Sequence, residues 1–245
     1  MIQLETVVIS ANKNETNRLE APIVVHVMTP KLFENTNSVC LAQGLSFQPG
    51  LRVETNCQNC GFQQVRINGL DGPYTQLLLD GKALFSSLNG VYGIEQIPTG
   101  MIERVEVMRG GGSALYGANA IGGTVNIITK EPLNNLFMIS HNLTAIGNSA
   151  YDNTTSLNTS LVNSQRDAGI YLFGTSRHRQ HYDHDGDHFS EIGKLKLTTL
   201  GFRSFYKPTS QTKLTLEPQY PGIPTWRKSI QSASPRNRYH RTGRS

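Results

Sequence analysis

The sequence predicts two folded regions of different kinds: an α+β domain, a small mixed sheet with helices, over residues 20–132, and antiparallel β strands over 133–217. An extended segment, 1–19, precedes them, and a disordered basic tail, 218–245, follows. Three observations predict this. In the stretch from Ile97 to Pro132, strand, glycine-rich turn, small-residue bend and second strand follow one another. From Leu136 the pattern changes to long weakly alternating segments joined by polar turns, and beyond Glu217 the alternation stops.

The glycine-punctuated stretch organises the domain. Ile102, Val105 and Val107 alternate with Glu103, Arg104, Glu106 and Met108, with enough β-branched character for a half-buried strand. Gly110, Gly111 and Gly112 break it, Ser113 to Tyr116 is an island before Gly117, and Gly122-Gly123 releases the chain into a second strand, Thr124 to Thr129. Seven glycines between 97 and 132 imply backbone at positive φ, or backbone too close to something for a Cβ.

In chain order, Leu4 to Ser10 is a short apolar run of edge-strand type, followed by polar residues to Glu20. Pro22 to Val27 is a strand, and Thr29 with Pro30 starts a helix as N-cap and first helical residue, running to about Leu45. Leu51 to Glu54 and Gln64 to Leu70 are strands. Gln76 to Lys82 is a buried strand ending in an Asp80-Gly81 turn. Phe137–Ile146, Asn153–Val162, Ala168–Ser176, Lys194–Tyr206 and Thr212–Glu217 alternate, with turns at Asn148-Ser149 and Asn163 to Arg166. Segments of about ten alternating residues are the mark of transmembrane β-barrel strands, and a soluble meander shares the pattern.

Composition excludes some classes. No run of about eighteen apolar residues exists, so no helix is expected to span a bilayer. The net charge of +5 belongs to the tail: 218–245 carries six Lys/Arg and no acid, leaving −1 for everything before it. The folded part therefore lacks the basic face of a nucleic-acid binder. The tail is proline-studded and cannot bury a core. Cys40, Cys57 and Cys60 allow one pair; Cys57-Gln58-Asn59-Cys60 reads as a local disulfide or free thiols, since a zinc site wants a second pair and a redox motif wants a βαβ context. No serine–histidine or cysteine–histidine motif supports catalysis, so neither an enzyme nor a cofactor is expected.

The segment His178 to Glu191 gathers four histidines with Asp183, Asp185 and Asp187. A solvated hairpin loop is the plain reading. Should it hold a metal, calcium on Asp183, Asp185, Asp187 and Glu191 stands ahead of zinc, although the helix-flanked geometry and glycine position of a calcium loop are missing.

The ordered run Ile102-Glu103-Arg104-Val105-Glu106-Val107, Arg109-Gly110, Ser113-Ala114-Leu115-Tyr116-Gly117, Ala120-Ile121-Gly122-Gly123 and Val125-Asn126-Ile127-Ile128-Thr129-Lys130 closely resembles the end of the plug domain of TonB-dependent outer-membrane receptors. A phosphate loop would need GxxxxGK[ST] or GxGxxG opening a helix, and here no lysine follows and a strand comes next. The strands holding Arg66 and Gly69, and Asp80 and Gly81, also resemble plug strands. The resemblance implies a plug over 20–132 and, over 133–217, the first strands of an incomplete transmembrane β-barrel, whose full form of about twenty-two strands leaves a lumen needing an occupant.

It further implies that Leu4, Glu5, Thr6, Val7, Val8 and Ile9 form a TonB box, adding a strand to TonB in the periplasm. Glu106 and Arg109 become candidates for a buried ionic lock between plug and barrel, while Gly69, Gly117, Gly122 and Gly123 are scaffold. The implied function is energy-coupled uptake of a bulky nutrient such as a ferric siderophore or cobalamin, with TonB, outer-membrane lipid and the nutrient as partners and the cell outer membrane as location.

Two departures are expected to matter. There is no secretory signal, so either Met1 is not the true start or the sequence is a fragment. A choice of permitted codons for 219–244, read one base later, can give a peptide resembling further barrel, so the tail is expected to follow a frameshift near Glu217-Pro218. Such a truncated form would be non-functional in uptake; a periplasmic plug-only binding module and a metal-binding protein using 178–191 are the alternatives.

Overall fold

The computed structural model describes residues 8–9, 16–17, 24–57, 62–84, 94–95, 97–110, 113–147, 149–185, 190–209, 212–216, 219–220 and 228–232. At the N-terminus β1 (Val8–Ile9) pairs antiparallel with β2 (Thr16–Asn17). After β3 (Val25–Met28) come two short helices, α1 (Pro30–Asn35) and α2 (Leu41–Leu45), where one helix to about Leu45 was expected. Local side chains explain the break. The Thr36 hydroxyl donates to Leu32 O at 2.8 Å and lies 2.7 Å from the Ser38 hydroxyl, and Asn37 turns to φ 50°. Such bonding offers the backbone an alternative to helix. The chain restarts because Leu41 N–H donates to Ile97 O, a tertiary bond invisible in local sequence. Thr29 has extended N-cap backbone but makes no side-chain cap bond.

The hairpin of β4 (Leu51–Cys57) and β5 (Phe62–Ile67) forms its own two-stranded sheet. Next, β6 (Thr75–Leu79) turns through Asp80 and Gly81 at φ 48° and 74° into β7 (Lys82–Ala83). Positive φ at both central residues is what a tight hairpin turn demands, and Asp-Gly meets it. The glycine-punctuated pair is β8 (Ile102–Arg109) and β9 (Gly123–Thr129), with the single helical turn α3 (Ser113–Tyr116) between them. These complete a five-stranded sheet in the order β3-β8-β9-β6-β7, in which only β6 and β9 run parallel. The expected mixed sheet is therefore present. Gly123 sits at φ 141°, where a Cβ would collide with Met108 O, so the two central strands close on each other only because that residue is glycine. On one face Val105, Val107, Val125 and Ile127 pack with Leu41, Leu45 and Phe33, all buried, each worth about 1.5–3 kcal/mol of apolar transfer.

The second region is a single antiparallel sheet, here called the wall: β10 (Leu136–Ile146), β11 (Ala150–Val162), β12 (Ala168–Arg179), β13 (Leu195–Thr209), β14 (Thr212–Leu216), β15 (Gln219–Tyr220) and β16 (Lys228–Ser232). The order is β10-β11-β12-β13-β14-β16, with β15 on β13. The first five match the expected segments to within a few residues. Burial alternates along β11 and β12: Asp152, Thr154, Asn158 and Ser160, then Tyr171, Phe173, Thr175 and Arg177, face the domain and are buried. Phe137, Ile139, Leu143, Leu157, Leu161, Leu172 and Leu200 are exposed.

Two pieces of the tail correct the expectation of disorder. Gln219–Tyr220 pairs with β13 and Lys228–Ser232 with β14. A sheet edge recruits backbone hydrogen bonds without needing an apolar side chain, so composition alone misses it. The rest of 218–245 lies outside the described residues, as do Leu4, Glu5, Thr6 and Val7 of the N-terminal run.

Candidate functional site

The domain docks on the wall through charges that alternate into the buried face of the strands. Arg177 of β12 is 3% exposed. Its Nη2 meets Asp152 of β11 at 2.6 Å and its Nη1 lies 3.6 Å from Glu95 of the domain. Arg179, one inward step further on, reaches Glu95 at 3.3 Å. Two guanidinium groups thus share one domain carboxylate, while Asp152 holds Arg177 in place from the neighbouring strand. Cys40 completes the cluster, with its Sγ 3.6 Å from Arg177 Nη1. Burial pushes its thiol above the ordinary value against the opposing pull of Arg177.

A second tie lies toward the other end of the wall. Asp80, in the tight turn after β6, accepts from the Thr129 N–H at 2.9 Å and the Thr129 hydroxyl at 2.7 Å. Arg203 of β13 donates to the same carboxylate at 3.1 Å and to Thr129 O at 3.3 Å, and its Nη2 is 3.6 Å from Glu131. Lys213 of β14 meets Glu131 at 2.5 Å. Burial would raise the Glu131 carboxyl, but the hydrogen bond and charge of Lys213, with Arg203 and Lys207, outweigh it and hold it below the usual range. Between the ties, the Tyr171 hydroxyl lies 2.5 Å from Gly100 O and 2.9 Å from Asn158 Oδ1, within hydrogen-bond reach of both. Tyr171 and Phe173 join the domain's own hydrophobic core.

Opposite β10 and β11 the contact is different. A cavity of about 300 Å³ separates the domain from the wall. Glu34, Asn37, Ser38, Thr99 and Lys130 line one side, and Met138, Ser140, Asn142, Thr154 and Ser156 the other. Burial lowers the Lys130 ammonium from its ordinary pKa, with Glu103 and Glu34 opposing.

The residues singled out in the sequence fall mostly inside the domain. Arg66 pairs with Glu54 at 2.7 Å and Asp71 at 3.0 Å. Gly69 follows Asn68 in a turn with both φ positive, and Gly81 N–H donates to Asn126 Oδ1 at 2.9 Å. Glu103 is exposed. Glu106 is fully buried with Arg104 of its own strand at 2.8 Å, and Arg109 donates to Pro49 O within the domain. The lock expected of Glu106 and Arg109 is thus matched in kind by Glu95 and Asp80, paired to Arg177, Arg179 and Arg203. Gly110 at φ 66° donates to Gly122 O, Gly122 N–H to Tyr74 O, and Gly117 takes φ 93° after the turn opened by Ser113. Tyr116 is half-buried, and burial followed by Glu106 raises its hydroxyl pKa. Asn126 is buried.

Sequence reading missed Glu95, Asp152, Arg177, Arg179 and Arg203. The signal was present in β12, where Arg177 shares the alternation register of Tyr171 and Phe173. In the 178–191 loop, Asp183, Asp185 and Glu191 bring ligand atoms within 4.8 Å of one another, and the His184 N–H donates to Glu191 at 2.6 Å. Asp187 lies outside the described residues.

Residues 17–124 match the family described as TonB-dependent Receptor Plug Domain. The chain is similar to the vitamin B12 transporter BtuB of Vibrio vulnificus, 35% identical over 127 residues, which is 52% of this chain and 21% of that protein. Its counterpart in Vibrio cholerae is 31% identical over 126 residues. Among solved structures, the siderophore receptor PirA of Acinetobacter baumannii superposes with a TM-score of 0.67 at 23% identity, over 80% of this chain and 31% of that one. A mutant of the ferric enterobactin receptor PfeA of Pseudomonas aeruginosa gives 0.67 at 22%, over 87% and 34%. The structural likeness extends through the wall strands, and the matched region spans only 21% of the length of the curated relatives.

Proposed function

With a TonB-dependent receptor plug domain over residues 17–124 joined to antiparallel strands of the receptor-barrel kind, we propose that the chain supplies the plug and first barrel strands of an outer-membrane receptor for energy-coupled uptake of a bulky nutrient, cobalamin or a ferric siderophore. The observation that carries this reading is the docking of the domain on the inner wall face through Glu95 and Asp80, against Arg177, Arg179 and Arg203. A plug that must stay seated and yet be movable needs polar ties at its rim more than a continuous apolar interface. Domain boundaries at 20, 132 and 217 follow from the same reading, with 133–135 as the linker into the wall.

In this reading the chemistry is binding and gating. The apolar outer face of the wall meets lipid, the inner face holds the plug, and Leu4 to Ile9 adds a strand to TonB. Val8 and Ile9 are already extended and paired with Thr16 and Asn17, so engagement by TonB would exchange one strand partner for another. The names of the curated relatives favour cobalamin, and those of the structural neighbours favour siderophores. The test is a chimaera in which residues 1–132 replace the plug of the Vibrio vulnificus transporter. TonB-dependent uptake of labelled cobalamin is expected, with loss on Val8→Pro; a chimaera that reaches the outer membrane yet stays inactive overturns the proposal.

A further inference from the structure

The two halves of the wall hold the plug by different chemistry, and this difference sets where the plug can part from it. β10, LFMISHNLTAI, carries no Asp, Glu, Lys or Arg, so it can offer the plug no carboxylate, ammonium or guanidinium tie. The one charge of β11, Asp152, is engaged by Arg177 of the next strand. What these strands turn toward the plug is mostly hydroxyl and amide, Ser140 and Asn142, Thr154, Ser156 and Asn158, with Met138 and His141 beside them; across the 300 Å³ cavity the plug side carries Asn37, Ser38 and Thr99 together with Glu34 and Lys130. Each hydroxyl and amide can exchange its partner for water at little net cost. β12 and β13 instead present Tyr171, Phe173, Arg177, Arg179 and Arg203, two of them aromatic and packed in the plug core, three of them ion-paired to plug carboxylates. Breaking those contacts leaves buried charge uncompensated and opens the core.

From this asymmetry we infer that the plug parts from the wall along β10 and β11 while pivoting on β12 and β13, so that the hydroxyl- and amide-lined cavity is the seam that widens. The inference deepens the proposed function and rests on the plug-and-wall reading of the chain.

The test uses the full chain in lipid bilayers or detergent and needs neither TonB nor nutrient, so it stands or falls separately from the uptake chimaera. Thr154→Cys on β11 and Thr175→Cys on β12 place matched thiols at two buried inward positions, 4% and 8% exposed. A charged thiol reagent is applied at rising urea below the global unfolding transition, and mass spectrometry resolves each site from Cys40, Cys57 and Cys60. Relative to its rate in the unfolded chain, the β11 thiol is expected to react at least tenfold faster than the β12 thiol, and at lower urea. Ser160→Cys on β11 with Thr199→Cys on β13, 4% and 5% exposed, repeats the comparison should either first variant fail to fold. Equal rates across the two sides, or faster reaction on β12 and β13, overturn the inference.

Discussion

In the plug, Leu41, Leu45, Val105, Val107, Val125 and Ile127 bury against one another completely, and the polar residues at its rim are secondary to that core. In the wall the order is reversed: Asp152, Thr154, Asn158, Ser160, Thr175 and Arg177 are buried, and the large apolar side chains Ile139, Leu143, Leu161 and Leu200 are more than half exposed. The plug therefore carries its hydrophobic driving force within itself. The wall's inner face is held against the plug by polar contacts together with Tyr171 and Phe173, while its outer face carries exposed apolar side chains.

The sharpest way to break that contrast is to remove a polar group that the wall buries. Arg177→Ala leaves Glu95 and Asp152 enclosed without their shared partner, and loss of one member of a buried ion pair costs about 3–5 kcal/mol. Urea unfolding of the full chain should show that loss together with freer reaction of Cys40, which lies against the same guanidinium. A change below 1 kcal/mol would mean the wall's inward charges contribute little, and the comparison with the plug would fail.

Apolar truncation sharpens the same contrast from the other side. Ile127→Ala in the plug core is expected to cost about 3 kcal/mol, by lost transfer energy and the cavity left behind. Ile139→Ala, at a residue 61% exposed on the outer face, should cost less than about 0.5 kcal/mol in detergent. Equal effects would show that the outer face is packed against something the chain itself provides.

The alternation of residue types was enough to place five wall strands, and it is matched by alternating burial most clearly along β11 and β12. The Asp80-Gly81 turn and the Gly123 strand junction were equally legible, since each is required by local backbone conformation. The helix break at Thr36 to Cys40 was not, because the restart depends on Ile97 across the fold. The plug–wall ties were hidden for the same reason: Arg203 and Asp80 are 123 residues apart, and nothing local to either names the other. Arg177, a charge in register with Tyr171 and Phe173, carried a local signal of burial that the sequence reading did not use.

Acid should loosen one tie and spare the plug core. The Glu131 carboxyl, partly desolvated but still open to solvent, is held below the usual range by Lys213 first and then by Arg203 and Lys207. A folded-state pKa below the unfolded one, about 4.3, stabilises above that value, and the contribution disappears as pH falls through the folded one. The urea midpoint of the full chain should therefore drop on acidification below about pH 4, and less steeply in Lys213→Ala. An unchanged slope in that variant would show that Glu131 is not what titrates.

The smallest expected effect lies at the start of α1. Thr29 has the residue type and the extended backbone of an N-cap, yet its side chain makes no capping bond, and the six-residue helix is held by Phe33, buried to 3%. A working Thr cap is worth about 1 kcal/mol, whereas truncating a buried Phe costs about 3–5 kcal/mol. Thr29→Ala should thus move the urea midpoint by an amount within error while Phe33→Ala moves it severely. Should Thr29→Ala cost as much as a working cap, local capping rather than core burial would be ordering this helix, and the plug would be less self-contained than its packing indicates.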